Sequence, residues 1–589
     1  MTHSSFLGIE ASFSGRRWVA RAYDERQTLA IAQRYSLPDI LARSLSARGL
    51  TVETAESFLA PRLRDSMPDP SRLQDMDKAV SRFVLALENN EHMAVFGDYD
   101  VDGATSSALL VRFVRALGHK LDLYIPDRLT EGYGPNEAAM KKLAGQGITL
   151  AICVDCGTTA HAPLAAAREA GLDVIVIDHH AAEPSLPPAV AIVNPNRLDD
   201  EMMDTLGTLA AVGVTYLFVV AVNRALREAR FYSDARPEPD LKQWLDLVAL
   251  GTVCDVVKLT GLNRAFVTQG LKVMEARGNV GIAALARVSA ATPPFDAYTA
   301  GFLLGPRLNA GGRVGKSDTG AKLLAMEDEA EAIGIAEYLN QLNGERRAIE
   351  ADVLAQAEMM IFDEDAPLTF VASENWHAGV IGIVASRLKD KFHRPAIVIG
   401  IDQAIGKGSG RSVGNVDLGA AVIAARQAGL LINGGGHKMA AGLTVAKDKI
   451  DALHAFLVER IGKQLEAEPF VPTLTLDGLA SAGALDSAFI DRLSALSPFG
   501  TGNAEPRFAL ADCKIIRADI VGEKHVKVIA SQGGASLSAI AFRAMESDLG
   551  ASLLAHVGHS VHLAGHVRRN VWQGRETVQL LIDDAAKGG

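Results

Sequence analysis

A chain of 589 residues exceeds what one hydrophobic core serves and predicts roughly three or four domains. Its 48% apolar content excludes a mainly disordered protein. The formal net charge of −11 argues against a generally basic nucleic-acid coat but leaves room for a local basic groove. The longest apolar runs, Val212–Val222 and Trp244–Val257, are interrupted by polar groups and too short to cross a bilayer, so no membrane partner is expected. The first residues lack a basic stretch followed by an apolar one, and four cysteines in so long a chain form no disulfide framework. A cytoplasmic location is therefore expected.

Residues 1–80 are mixed in pattern. "DILARSLSARGLTVETAESFLAP" reads as two short helices around a glycine turn, in an extension packed on the first domain. Residues 81–320 form that domain. Strand-like runs at Met93–Phe96, Thr149–Val154, Asp173–Ile177 and Ala189–Val193 alternate with helical periodicity at Thr105–Leu117, Asn136–Ala144 and Ala160–Ala170. This alternation predicts a parallel, doubly wound sheet. Residues 321–362 carry apolar positions at helical spacing and predict a connecting helix, as one or two long pieces. A second α/β unit follows over 363–465, with strands Leu368–Ala372 and Ala396–Gly400, a helix Val380–Lys389 and the glycine-rich "INGGGHKMAAG". Short strand-like runs fill 466–589, predicting a β sandwich or small barrel.

The chemistry concentrates in "GDYDVDGATSS", where Asp98, Asp100 and Asp102 stand at alternate positions after the first strand. Carboxylates so crowded raise each other's pKa unless a cation sits among them. Asp155 ends "LAICVD", Asp178, His179 and His180 close "VIVIDHH", and Asp255 follows the apolar helix that starts at Trp244. Loops at the carboxyl ends of parallel strands share one rim, where ligands bind. Carboxylates with one or two imidazoles, and no matched thiolates, favour Mn²⁺ or Mg²⁺ over zinc. Such a cluster exceeds the needs of one ion, so two ions bridged by a shared aspartate are expected, an arrangement suited to in-line displacement at phosphorus. Cys153 and Cys156 point to opposite faces of a strand and read as core residues; His161, His393 and His454 read as ordinary surface or core histidines, and Asp363–Asp365 as a solvated helix end.

"DYDVDG", "VDCG" and "DHH", in this order and spacing, resemble the DHH phosphoesterase superfamily, and "GGGHKMAAG" (Gly434–Gly442) is similar to the signature of its DHH-associated domain. "PDRLTEGYG", "GPRLNAGGR", "WHAGVIGIVASRL", "GSGRS" and "PFGTGN" narrow the resemblance to the branch of single-strand-specific 5′→3′ exonucleases. It covers nearly the whole chain from about residue 30. The fold implied is a DHH domain with a parallel sheet and a DHH-associated domain joined by a long helix, then an OB-like barrel. The resemblance also implies metal ligands at Asp98, Asp100, Asp102, Asp155, His179 and Asp255, with Asp155 bridging. Asp178 would orient the histidine pair, and His180 would face the scissile phosphate. One departure is visible: Phe96 stands where some relatives carry histidine, which leaves the second ion fewer ligands.

Arg128, Arg307, Arg313 and Arg411 are planar donors suited to phosphate, and glycines around Ser409 and His437 permit close backbone approach. In the family context these residues, with Asn309 of the same "GPRLN" motif, form the substrate grip, and Tyr133 is a stacking partner at the 5′ end. Lys524, Lys527, Arg543, Arg568, Arg569, Trp572 and Arg575 give the barrel the basic and aromatic character of a single-strand groove. The leading expectation is a monomeric exonuclease that degrades single-stranded DNA to 5′-mononucleotides in recombination and repair, beside a DNA helicase and a single-strand-binding protein. A small-substrate phosphoesterase acting on oligoribonucleotides, dinucleotides or pyrophosphate would not need the barrel. A non-catalytic DNA-binding scaffold would not need every acid intact.

Overall fold

The computed structural model describes residues 5–127, 130–363, 365–572 and 575–588. Two compact units emerge, one of residues 1–312, 316–340 and 473–589, the other of 313–315 and 341–472. Their boundary falls inside the long helix Glu329–Met359 rather than at its ends.

The first unit opens on β1 (Arg17–Ala20), which pairs in parallel with a strand far downstream, Thr473–Leu476. Trp18 is fully buried, and its indole Nε1 donates to Asp584 Oδ2 at 3.0 Å. The hydroxyls of Ser12 and Ser14 donate to the same carboxylate at 2.6 and 2.8 Å. The extension is thus tied to the last strand of the chain. It also meets the first α/β domain, where Arg264 Nε donates to the Phe58 carbonyl at 2.8 Å. The two short helices are present at Asp39–Ser46 and Ala55–Leu59, with Gly49 between them at φ +77°.

The central sheet is parallel throughout and ordered β3-β2-β4-β5-β6: β2 (Met93–Gly97), β3 (Leu121–Tyr124), β4 (Leu150–Val154), β5 (Asp173–Ile177) and β6 (Ala191–Val193). β2 and β4 are buried on both faces, which is why they read as continuous apolar runs. β3 escaped the sequence reading because "LDLY" lies at a sheet edge and is mostly half-buried. The chain leaves β2 towards β3 and later returns to β4 on its other side. The crevice of a doubly wound sheet therefore opens at the carboxyl ends of β2 and β4. The next helix, Val101–Ala116, starts where Asp100 accepts from the Asp102 and Gly103 amides at 2.9 and 3.1 Å.

The second unit holds a mixed sheet ordered β10-β11-β9-β8-β7: β7 (Thr369–Glu374), β8 (Ala396–Asp402), β9 (Ile405–Arg411), β10 (Asn433–His437) and β11 (Ala440–Ala446). The glycine-rich motifs are strands here, not turns. Gly408 and Gly410 face a packed core, where a Cβ would meet Leu443 Cδ1 at 2.6 Å and Leu418 Cδ2 at 2.7 Å. Packing overrides the poor strand propensity of glycine at these positions.

The chain then returns to the first unit with β12 (Thr473–Leu476) and β13 (Gly478–Leu479). β14 (Phe508–Val521), β15 (His525–Gln532), β16 (Ala535–Ala541), β17 (Ser560–Trp572) and β18 (Arg575–Lys587) follow. The order β14-β15-β16-β18-β17, with β17 returning to β14, closes a five-stranded barrel around Phe508, Leu510, Val528, Leu563 and Leu580. Two helices, Ser487–Ser494 and Asp548–Ala555, accompany strands that the sequence reads as all-β.

Candidate metal centre

Every acid expected at the metal centre arrives at one rim. Asp98 and Asp100 follow β2, Asp102 stands in the first turn of the Val101–Ala116 helix, and Asp155 follows β4. Asp178–His180 follow β5, and Asp255 caps the C-terminus of the helix Leu245–Cys254. Asp98, Asp100 and Asp155 offer ligand atoms within 4.8 Å of one another, and so do Asp102, His179 and Asp255. His179 Nε2 lies 3.4 Å from Asp155 Oδ1, 3.7 Å from Asp255 Oδ2 and 3.9 Å from Asp102 Oδ2. Asp155 thereby stands between the two groups.

Close packing makes this convergence possible. A Cβ on Gly103 would meet Asp98 O at 2.4 Å and Asp98 N at 2.6 Å, so only glycine lets the helix settle on the Asp98 loop. A Cβ on Gly251 would meet Thr105 Oγ1 at 2.3 Å and approach Asp102 Oδ1 to 3.1 Å. Asp155 itself adopts φ +60°, a left-handed conformation that costs a non-glycine residue energy and marks a backbone held by its surroundings.

Electrostatics shows what the arrangement demands. Burial, and then the charges of Asp100, Asp102 and Asp98, push the Asp155 carboxyl well above its usual range. Burial and Asp255 push Asp102 up; burial and Asp100 push Asp255 up. Asp255 Oδ2 is buried and accepts no hydrogen bond among the described residues. Asp102 is better served, accepting from the Ala211 and Val212 amides at 2.6 and 2.9 Å, at the start of the helix Ala211–Glu228. Oxygen-rich groups short of donors, with one imidazole and no thiolate, fit divalent Mn²⁺ or Mg²⁺. Phe96 is buried and stacked on Tyr124 at 5.3 Å, and it offers no ligand atom.

The remaining catalytic candidates, Asp178 and His180, pair with each other, and His180 also joins Asp155 and His179 in a third group of ligand atoms within 4.8 Å of one another. Asp178 Oδ1 lies 2.7 Å from His180 Nδ1 and also accepts from the His179 amide at 2.8 Å. Burial opposes ionisation of both partners, but their hydrogen bond and mutual charge prevail. Asp178 is held well below the usual carboxylate range, and His180 rises to about 9. Tyr133 Oη donates to the Asp155 carbonyl at 3.2 Å and stands 3.2 Å from His180 Nε2. Its ring, 55% exposed, remains open to a ligand. Three side chains absent from the sequence reading support the pair: Thr158, Asn194 and Asn196. Asn194 and Asn196 were signalled only by "VNPN" following a strand at the same rim.

The substrate-grip candidates fall on both units. Arg128 lies outside the described residues. Arg307 Nε donates to Asn340 at 2.9 Å, on the helix that carries half-buried Asn309. Arg313 donates to the Gly379 carbonyl at 2.8 Å. In the second unit, Ser409 and Arg411 share one face of β9, and Arg411 donates to Ser409 Oγ at 3.1 Å. Across the sheet Arg411 aligns with Ala440 and His437, and Ser409 with Gly442 and Gly435. The last two have nothing within 4 Å of a built Cβ, leaving an open floor beside a hydroxyl, a guanidinium and an imidazole. Most of the barrel's basic candidates are engaged by acids: Lys524 and Arg543 by Glu546, Arg568 by Glu505, and Arg569 by Asp491 and Glu576. Lys527 is exposed. The side chains of Trp572 and Arg575 lie outside the described ones.

Comparison with known proteins agrees with this geometry. Family models match over residues 92–252 (DHH family, N-terminal domain), 365–463 (DHHA1 domain) and 476–584 (RecJ OB domain). The single-stranded-DNA-specific exonuclease RecJ of Bacillus subtilis is 33% identical over 97% of this chain and 71% of its own length. That of Dickeya dadantii is 35% identical over 93% of this chain and 96% of its own. The crystal structure of RecJ from Thermus thermophilus in complex with Mn²⁺ superposes with a TM-score of 0.79 at 28% identity, covering 96% of this chain and 78% of that one. The same protein in complex with Mg²⁺ gives 0.74 at 26% identity, covering 96% and 77%. A rim of paired acids and imidazoles, the ordered domains and the extent of these likenesses lead to one assignment: the chain belongs to the RecJ family of single-stranded-DNA-specific exonucleases.

Proposed function

We propose that this chain is a metal-dependent 5′→3′ exonuclease that degrades single-stranded DNA to 5′-mononucleotides. The observation that carries the reading is the pair of ligand groups, Asp98/Asp100/Asp155 and Asp102/His179/Asp255, meeting at Asp155. Mn²⁺ or Mg²⁺ held there supplies Lewis-acid stabilisation of charge at phosphorus and a nucleophile at neutral pH. The chain's own groups do the rest. Asp178 keeps His180 protonated and oriented, so the imidazolium presents its other nitrogen to the scissile phosphate as charge stabiliser or acid. The Tyr133 ring gives a terminal base a surface to stack on. Ser409, Arg411 and His437 offer an anion a hydroxyl, a planar cation and a ring on one face of their sheet.

The domain division we propose is the one read from the sequence: 1–80, 81–320, 321–362, 363–465 and 466–589. No helix among the described residues is long and apolar enough to cross a membrane. A monomer acting in the cytoplasm in recombination and repair, supplied by a helicase and accompanied by a single-strand-binding protein, is the setting that suits this chemistry.

The test uses a 30-mer single strand labelled at either end, Mn²⁺, a blunt duplex and an Asp155→Ala control. The expected result is immediate release of labelled mononucleotide from the 5′ end and a shortening ladder from the 3′ label, with duplex and variant inert. Turnover of dinucleotides or pyrophosphate with the 30-mer intact would replace this reading with a small-substrate phosphoesterase.

A further inference from the structure

The histidine pair lies on a segment without regular secondary structure, yet its imidazoles must keep their distances from four aspartates. All of its peptide groups are nevertheless occupied. The His179 and His180 amides donate to Asp178 Oδ1, at 2.8 and 3.3 Å. The His180 carbonyl accepts from Asn194 Nδ2 at 2.8 Å, and the His179 carbonyl from Asn196 Nδ2 at 2.6 Å.

Both asparagines come from "VNPN", at the carboxyl end of the neighbouring strand β6. Asn194 is fully buried and uses its whole amide. Besides the His180 carbonyl it donates to Thr158 Oγ1 at 2.8 Å, and its own Oδ1 accepts from the Asn196 amide at 2.8 Å. Asn196 Nδ2 donates a second time, to the Gly207 carbonyl at 2.9 Å. Thr158 closes the circuit, since its amide donates to Asp178 Oδ2 at 3.1 Å. Three residues before Thr158 stands Asp155, in its left-handed conformation. Loops after three adjacent strands are therefore laced together by side chains, and among the described residues the groups that grip the two histidine carbonyls are carboxamides. An aspartate in either place would offer no donor.

We infer that Asn194 and Asn196 are positioning residues of the active centre, each acting through one histidine. Asn196 fixes the peptide that aims His179 at Asp155, Asp102 and Asp255, so its effect falls on metal affinity. Asn194 fixes the peptide of His180, so its effect falls on turnover. The division of labour rests on the proposed two-ion nuclease reading of this centre.

The experiment compares the full-length wild type with Asn194→Ala, Asn196→Ala and Asn279→Ala. Asn279 is a buried amide that caps the helix Val280–Val288, away from the centre, and donates to the Leu324 carbonyl. Three quantities are read: Mn²⁺ affinity by electron paramagnetic resonance, kcat and KM on the 30-mer at saturating Mn²⁺, and melting temperature. Asn196→Ala is expected to weaken Mn²⁺ binding by about 10-fold or more, as loss of a ligand's hydrogen-bonded support does. Asn194→Ala is expected to keep wild-type Mn²⁺ affinity and KM and to lose about 10- to 100-fold in kcat. Asn279→Ala should move only the melting temperature. If the Asn194 and Asn196 variants do likewise, the positioning role is overturned. Should either alanine variant fail to fold, Asn194→Ser, Asn196→Ser and Thr158→Val are read by the same criteria. Wild type that binds Mn²⁺ but leaves the 30-mer intact would remove the nuclease reading, while the Mn²⁺ titration of Asn196→Ala still decides the clamp.

Discussion

Asp246 shows what a buried carboxyl does when a nearby cation offsets only part of its burial. It stands in the first turn of the helix Leu245–Cys254, 1% exposed, nine residues before Asp255. Its Oδ1 accepts from the Leu247 amide at 2.8 Å, and its Oδ2 accepts no hydrogen bond among the described residues. Burial raises its pKa to about 6, against the pull of the Leu247 amide and the Arg112 charge. The folded value lies above the unfolded one, so folding takes up a proton. Its contribution is fully present below about pH 4 and is lost as pH rises through 6. Asp246→Asn should therefore stabilise the protein by about 2 to 3 kcal/mol at pH 8, with the gain shrinking towards zero near pH 4. Melting temperature against pH, for wild type and variant, checks both sign and window. Asp102, Asp155 and Asp255 of the metal centre share this upward push but differ in having neighbours arranged to hold an ion.

At the scale of elements, the centre depends on how closely a helix rests on a loop. Gly103→Ala places a methyl against the Asp98 backbone, which no rotamer change relieves. The Asp98 loop must shift, and a misplacement of about 1 Å costs on the order of 100-fold in rate. Activity of the variant on the 30-mer, with Mn²⁺ affinity alongside, checks this. Strands and acids were readable from sequence because apolar runs and strand-end aspartates are local signals. The central strands fall within a residue or two of expectation, and the six metal-ligand candidates converge. What was not readable depends on contacts between distant segments. "PFGTGN" carries the family resemblance without a role attached to it, and here it acts as a tie. Asn503 donates to the Leu496 and Pro498 carbonyls, Arg48 donates to Asn503, and Arg264 gathers the Ser497 and Phe58 carbonyls while stacking over the Phe58 ring. Likewise, no local pattern announces that "GSGRS" is a strand, because glycine earns that place only through the Leu443 and Ile399 side chains it makes room for.

For the molecule as a whole, segments more than 400 residues apart in sequence are bound into one structure. Asp584, fully buried, collects Ser12, Ser14 and Trp18, and β1 lies along β12. Asp584→Ala removes the acceptor for all three donors and leaves the Trp18 indole unpaired in a dry site, at a cost of about 1 to 3 kcal/mol. Amide hydrogen exchange over residues 12–20 should rise sharply while Mn²⁺ affinity stays at the wild-type value. Unchanged protection there would show that β1 is held by its strand pairing alone.

This clasp also sets a schedule for synthesis. Trp18 leaves the ribosome 566 positions ahead of its partner Asp584. At bacterial elongation rates of about 5–20 residues per second, that interval is roughly 30 to 110 s. Until β12 has emerged β1 carries an unpaired edge, and until Asp584 has emerged Trp18 carries a bare indole, the kind of surface that chaperones recognise and that neighbouring nascent chains can capture. Completion of the barrel is thus also the event that buries Trp18.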